Sequence, residues 1–386
     1  MTARHAFWLV GFRPFFALTC LAGIVLPLAW ALMFAGWLSA PTAAFTAIQW
    51  HAHEMFFGFG WAMLAGFLLT ASKNWVKVRG VHGAPLVFLV AAWCFERLGM
   101  ALGAAWPQPL FLLSNQLFLV SAVAMVMWTL LSHRASDAYR RDNVFFLLLL
   151  PLFPLAKFLL LDPLYGEQGQ LMALGLFRLA FLVMLERTLT EFMKNVFRVE
   201  ILRRPTLDVS IKSLALVLAF VGFLPPPLQA GLALLAAALL IGRFAFWHPA
   251  RGFSRLDIGI MYLGYLAIVL QLLVAAFEQP RQTVWVGSVT IHLFTFGAMG
   301  LIVPAMIVRI ARGHTGRKVV FASADKAVLW LMIAALALRV VAPQLAPGAY
   351  LAWVGLAAAG WSLAFAILAW RVIPFLLAPR IDGREH

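Results

Sequence analysis

Trp50-His51-Ala52-His53-Glu54-Met55 leads directly into the apolar run from Phe56 to Thr70, and a second apolar run, Trp285 to Val308, carries His292 well inside it. Hydrocarbon tolerates ionisable side chains poorly. Those that persist there usually face a bundle interior, pair with something and mark a ligand site or a path. Imidazole, carboxylate and thioether groups are also the common ligands of haem iron and copper. Arg97, Lys157, Arg178 and Arg339 fall within apolar runs as well. Histidines together with several arginines suit a haem, because imidazole ligates iron and guanidinium pairs with propionates through charge-assisted hydrogen bonds.

These residues belong to a chain that is 63% apolar and 12% charged, about half the charge of a soluble domain. The fold expected is all-α, a polytopic transmembrane helical bundle forming one integral membrane domain, 1–386. A span needs about 20 apolar residues. Twelve are read, at about 15–37, 49–72, 84–104, 108–132, 143–161, 169–193, 209–226, 228–247, 256–278, 283–310, 324–343 and 349–377. The net charge of +15 does not indicate nucleic acid, because the charges sit in short loops between apolar runs. Twenty-four basic residues fall in the loops and termini of one side, Arg4, Arg13 and Arg384 among them, and only Arg281 in the loops of the other. The positive-inside rule then puts both termini in the cytoplasm. Cys20 and Cys94 lie in apolar runs and read as packing residues, and no cleavable leader is recognised.

This topology gives each buried polar residue a depth. His51, His53 and Glu54 begin span two near the outer surface. His292 lies about nine residues into span ten, hence about 13 Å deep. Arg97, Lys157, Arg178 and Arg339 fall in the outer half, so all eight residues are expected in one outer zone. His51 and His53 are about 200° apart on a helix and should face different ways. His51 should share a face with Glu54 and Met55, and His53 with Phe57. His53 is preferred as the partner of His292. On the other side, Glu186, Arg187, Glu191 and Lys194 end span six with spacing for ion pairs along one helix. Plainer readings stand beside these: an interfacial His51, snorkelling Arg97 and Arg339, and packing roles for Met63, Met299 and Met306.

Four blocks carry a family resemblance: Gly11-Phe12-Arg13-Pro14-Phe15-Phe16; Trp50 to Phe59, continuing through Ala65 to Ala71 and on to Asn74-Trp75; His292 through Gly297-Ala298-Met299-Gly300 to Met306 and Arg309; and Gly313-His314-Thr315-Gly316-Arg317. In this order, with twelve spans, the chain resembles the NnrS family of bacterial inner-membrane proteins. The resemblance implies a haem- and copper-containing multi-pass protein connected with nitric oxide and nitrosative stress. It makes His51, His53, Glu54, His292 and His314 the candidates, with His53, His292 and His314 as metal ligands; taken with the depth argument, His51, His53, Glu54, Arg97, Arg178, His292 and Arg339 are the residues expected around the haem. Two departures stand out: Glu186 to Phe192 lacks the glycine and proline usual at the end of span six, and Tyr262 stands where the family tends to have histidine. Both touch the inner side and imply an altered copper site.

Competing classes are a membrane transporter or metal-handling permease without haem, and an oxidase or reductase core. Intramembrane Arg, Glu and His suit a transporter, but no pair of broken spans occupies matching positions of two halves. An oxidase core needs about six histidines, and only His51, His53 and His292 lie in or at spans. No electron donor is identified from the sequence. Membrane lipid and a small ligand such as nitric oxide are the expected partners.

Overall fold

A computed structural model describes residues 6–41, 45–281 and 285–383; Arg4, Arg384 and the side chain of Arg281 lie outside the described residues. Among those described, the regular structure is helical throughout, with no strand. Twelve segments are long and apolar enough to cross a membrane: α1 (Phe12–Phe34), α2 (Ala47–Val76), α3 (Ala84–Leu102), α4 (Gln108–Ser132), α5 (Asn143–Leu161), α6 (Gly166–Phe197), α7 (Pro205–Phe223), α8 (Pro226–Ala245), α9 (Leu256–Glu278), α10 (Val289–Gly313), α11 (Ser323–Leu345) and α12 (Pro347–Leu377). The twelve expected spans are therefore found, with ends moved by a few residues.

The helices differ sharply in burial. The apolar windows of α2, α6 and α10 are 83%, 83% and 89% buried, against 28–61% for the other nine. His53, Arg178 and His292 lie on these three. Large apolar side chains such as Trp128 and Trp370 stay exposed, as lipid-facing helices require. Trp61, Trp247 and Trp361 are core residues instead, not interfacial anchors.

The chain forms two compact units, the first Met1–Gly166, Met306–Asp325 and Ser362–His386, the second Glu167–Ala305 and Lys326–Trp361. In the first, Thr46 and Gln49 build a reciprocal cap at the start of α2: Thr46 Oγ1 accepts from the Gln49 amide at 3.1 Å and Gln49 Oε1 from the Thr46 amide at 2.8 Å. Gln49 Nε2 also donates to the Leu160 carbonyl at 3.1 Å, tying this turn to the end of α5. The histidine turn is thus fixed from both sides. Arg13, fully buried in the first turn of α1, donates to the carbonyls of Leu376 and Ala378 at 2.6 and 2.7 Å. In the second unit α9 packs against α8 through Tyr262 and Tyr265, and against α10 at Gly297, where a Cβ would lie 2.6 Å from that of Ala267.

π-helical turns interrupt α2, α10 and α11. Glu54–Gly60 follows His53, Leu293–Met299 follows His292, and Ala337–Val341 contains Arg339. Such i→i+5 turns widen the helix and re-aim side chains, and they recur at functional sites. Phe57 and Phe296 stand four residues after their histidines, with ring centroids 5.6 and 5.9 Å away.

Candidate functional site

The first unit builds a closed polar cluster from four helices. His53 is fully buried, with Nδ1 3.1 Å from Glu54 Oε1. Its Nε2 accepts from Asn115 Nδ2 at 3.0 Å and lies 3.5 Å from Glu96 Oε1. With Asn115 donating to Nε2, the proton sits on Nδ1 and is donated to Glu54. Arg97 Nη1 is 3.2 Å from Glu54 Oε2, and Nη2 is 2.5 Å from Glu96 Oε1. Lys157, fully buried, pairs with Glu96 and donates to the Asn115 carbonyl. Two carboxylates and two cations around a neutral imidazole cancel, which is the condition for ions to persist away from water.

Local sequence explains the arrangement. Trp93, Glu96 and Arg97 share one face of α3 at helical spacing. Trp93 Nε1 donates to the Gly58 carbonyl at 3.0 Å, satisfying a backbone group in the π turn, and the Arg97 guanidinium lies over the Trp93 ring at 5.2 Å. A Cβ on Gly58 would collide with the Arg97 guanidinium, so glycine is what lets the charge reach Glu54. Glu96 and Asn115 complete the site and were not among the sequence candidates. Their signal was present: Ser114-Asn115-Gln116 is a polar triplet inside an apolar helix.

The His51 ring stacks on Trp30 at 4.3 Å and 15°. Helical spacing had grouped Glu54 with His51. In the structure the Glu54 carboxylate pairs with His53 and Arg97. The divergence of His51 from His53 and the pairing of His53 with Phe57 are as expected.

In the second unit His292 is 8% exposed, and its Nδ1 donates to the Ser288 carbonyl at 2.7 Å, which leaves the lone pair on Nε2. Arg178 Nη1 donates to Gln271 Oε1 at 2.9 Å and Nη2 to the Leu218 carbonyl at 3.4 Å. Arg339 donates to Tyr350 Oη at 3.3 Å and lies over that ring at 5.6 Å.

At the C-terminal end of α6, the expected pairing along one helix gives way to pairing between helices. Glu186 is 1% exposed and meets Arg203, Lys212 Nζ at 3.3 Å and Arg243 Nη1 at 3.2 Å. Asp208 Oδ2 adds a contact to Arg203 Nε at 2.9 Å. Burial selects these partners, since Glu191 on the same helix is exposed. Tyr262 donates to the Trp247 carbonyl at 2.6 Å, boxed by Phe244, Phe253 and Trp247.

His314 directly follows α10 and is packed against α1. Its ring is 5.5 Å from that of Phe12, and its carbonyl accepts from Arg380 at 3.1 Å. Burial first, then the charges of Lys73 and Arg380, push it down to about 4, so it is neutral at physiological pH. Those two cations and the lack of neighbouring ligands do not fit a copper ion. Among the described residues no three His, Cys, Asp or Glu side chains converge as a metal site. A haem finds a different answer at each histidine. His292 donates its Nδ1–H to a backbone carbonyl, as an iron-ligating imidazole does; the ring nitrogens of His53 meet side chains of its own cluster.

The helices and the buried ionisable clusters define a polytopic membrane protein that holds charge within its spans. Within that class the chain belongs to the NnrS family, whose model, described as NnrS protein, matches residues 6–380. No curated protein is significantly similar to the chain.

Proposed function

We propose that this chain is a haem-binding protein of the bacterial inner membrane that takes up a small nitrogen oxide such as nitric oxide, with both termini in the cytoplasm. Family membership supports this reading, and the observation that carries it is His292, buried on α10 with Nδ1–H fixed on the Ser288 carbonyl. Haem would supply an iron able to accept an imidazole ligand and to bind a diatomic nitrogen oxide. His292 would hold it through Nε2, with Phe296 limiting rotation of the ring. His53 serves as a proton holder: its Nδ1–H rests on Glu54, and Glu96, Arg97 and Lys157 keep the surrounding charge balanced. No step is assigned to copper.

The test is the absorption spectrum of purified protein. Wild type should show a Soret band that shifts with nitric oxide; His292→Ala should lose it while still inserting, and His53→Ala should keep it. A His292→Ala spectrum equal to wild type refutes the assignment. A permease without haem is the second reading, favoured by the charge-balanced cluster across α2–α5. Substrate-driven flux in proteoliposomes without a Soret band would establish it instead.

A further inference from the structure

The second unit holds a partly open cavity of about 80 Å³ among α6, α7, α8, α9 and the first turn of α10. Arg178, Gln229, Gln271, Glu278 and Thr290 are its polar lining, and the rest is leucine, valine and alanine. Arg178 is 3% exposed, and its Nε is buried without a hydrogen-bond partner. The two acceptors it has, Gln271 Oε1 and the Leu218 carbonyl, are neutral. The guanidinium therefore keeps a full charge and spare N–H groups beside empty space, a costly state in a membrane interior unless something occupies that space.

We propose that the cavity binds one small monovalent inorganic anion, of the size of chloride or nitrate, on Arg178. One water needs roughly 10–15 Å³ of such space, so the volume holds a few solvent-sized atoms. Cofactor pockets run to about 300–1,000 Å³, so neither a porphyrin nor a lipid headgroup fits. Arg178 supplies the charge and a planar fork of donors. Gln271 accepts through Oε1 from Arg178, which leaves its Nε2 N–H groups for the anion. Gln229 is committed to the Leu224 carbonyl at 2.7 Å, and Thr290 donates to Glu278. Glu278 is the negative end of the cavity. It lies two helical turns beyond Gln271 on α9, about 10 Å along the axis. Its charge disfavours dianions and weakens the binding of monovalent ones.

The experiment is thermal unfolding of the purified full-length chain, followed by tryptophan fluorescence, in gluconate buffer titrated with chloride or nitrate. Wild type should show a saturable rise in unfolding temperature with at least one of the two. Arg178→Gln should lose it. Glu278→Gln should reach its midpoint at about tenfold lower anion, the factor for one charge about 10 Å away at an effective dielectric of 20. A wild type without saturable response overturns the proposal, as does an Arg178→Gln variant that responds like wild type. Should Arg178→Gln fail to fold, a Glu278→Gln midpoint equal to that of wild type overturns it. No chromophore is needed, so failure of the haem assignment leaves this result standing.

Discussion

Replacing Glu96 with glutamine keeps the shape of the side chain and removes one of the two negative charges among α2, α3, α4 and α5. Glu96 faces Arg97 Nη2 at 2.5 Å, the Lys157 ammonium, and His53 Nε2 at 3.5 Å. At an effective dielectric of 20, one cation about 3 Å away is worth roughly 5 kcal/mol. Desolvation opposes this by several kcal/mol per ion, so the net loss on breaking a buried pair is about 3–5 kcal/mol. The variant leaves Lys157 and Arg97 sharing Glu54 alone, with an uncompensated positive charge in the membrane. Glu96→Gln should therefore destabilise the protein by roughly 3–5 kcal/mol. Adding Lys157→Met restores neutrality, and the double-mutant cycle should show about 2 kcal/mol or more of favourable coupling. Denaturant unfolding in detergent, followed by tryptophan fluorescence, measures both. A Glu96→Gln variant within 1 kcal/mol of wild type, or independent additive effects, would show that the network does not act as a charge-balanced unit.

Further outcomes follow from the same geometry. Gly58→Ala puts a methyl group into the Arg97 guanidinium and should cost about 1–3 kcal/mol; equal stability would mean that Arg97 does not rest on the π turn. His314 resists protonation until about pH 4 when folded, whereas the unfolded chain takes its proton near 6.5. Its contribution to stability is therefore lost as pH falls between those values, by up to roughly 3 kcal/mol. His314→Phe should flatten stability across that window, and an unchanged profile would contradict it. A reporter at the C-terminus should be active only in the cytoplasm; periplasmic activity would overturn the orientation inferred from the loop charges.

The sequence by itself determined the class. Apolar run lengths fixed twelve spans within a few residues of the observed ends, because spanning helices answer to one dominant constraint, hydrocarbon thickness. It also showed that His51 and His53 diverge and that Phe57 accompanies His53, both consequences of near-helical spacing. Tertiary structure decided which charges meet. Glu54 meets His53 and Arg97, because α3 presents the Arg97 guanidinium there, and nothing in local spacing announces that neighbour. Glu186 pairs with Arg203, Lys212 and Arg243 rather than along its own helix, because burial, not separation in the chain, sets the strength of an ion pair. Asn115 and Gln271 acquire meaning only beside His53 and Arg178. An amide in an apolar helix stands out in sequence but names no partner there. Its role depends on which neighbouring helix presents a group that it must satisfy, and only the packing of the bundle selects that neighbour.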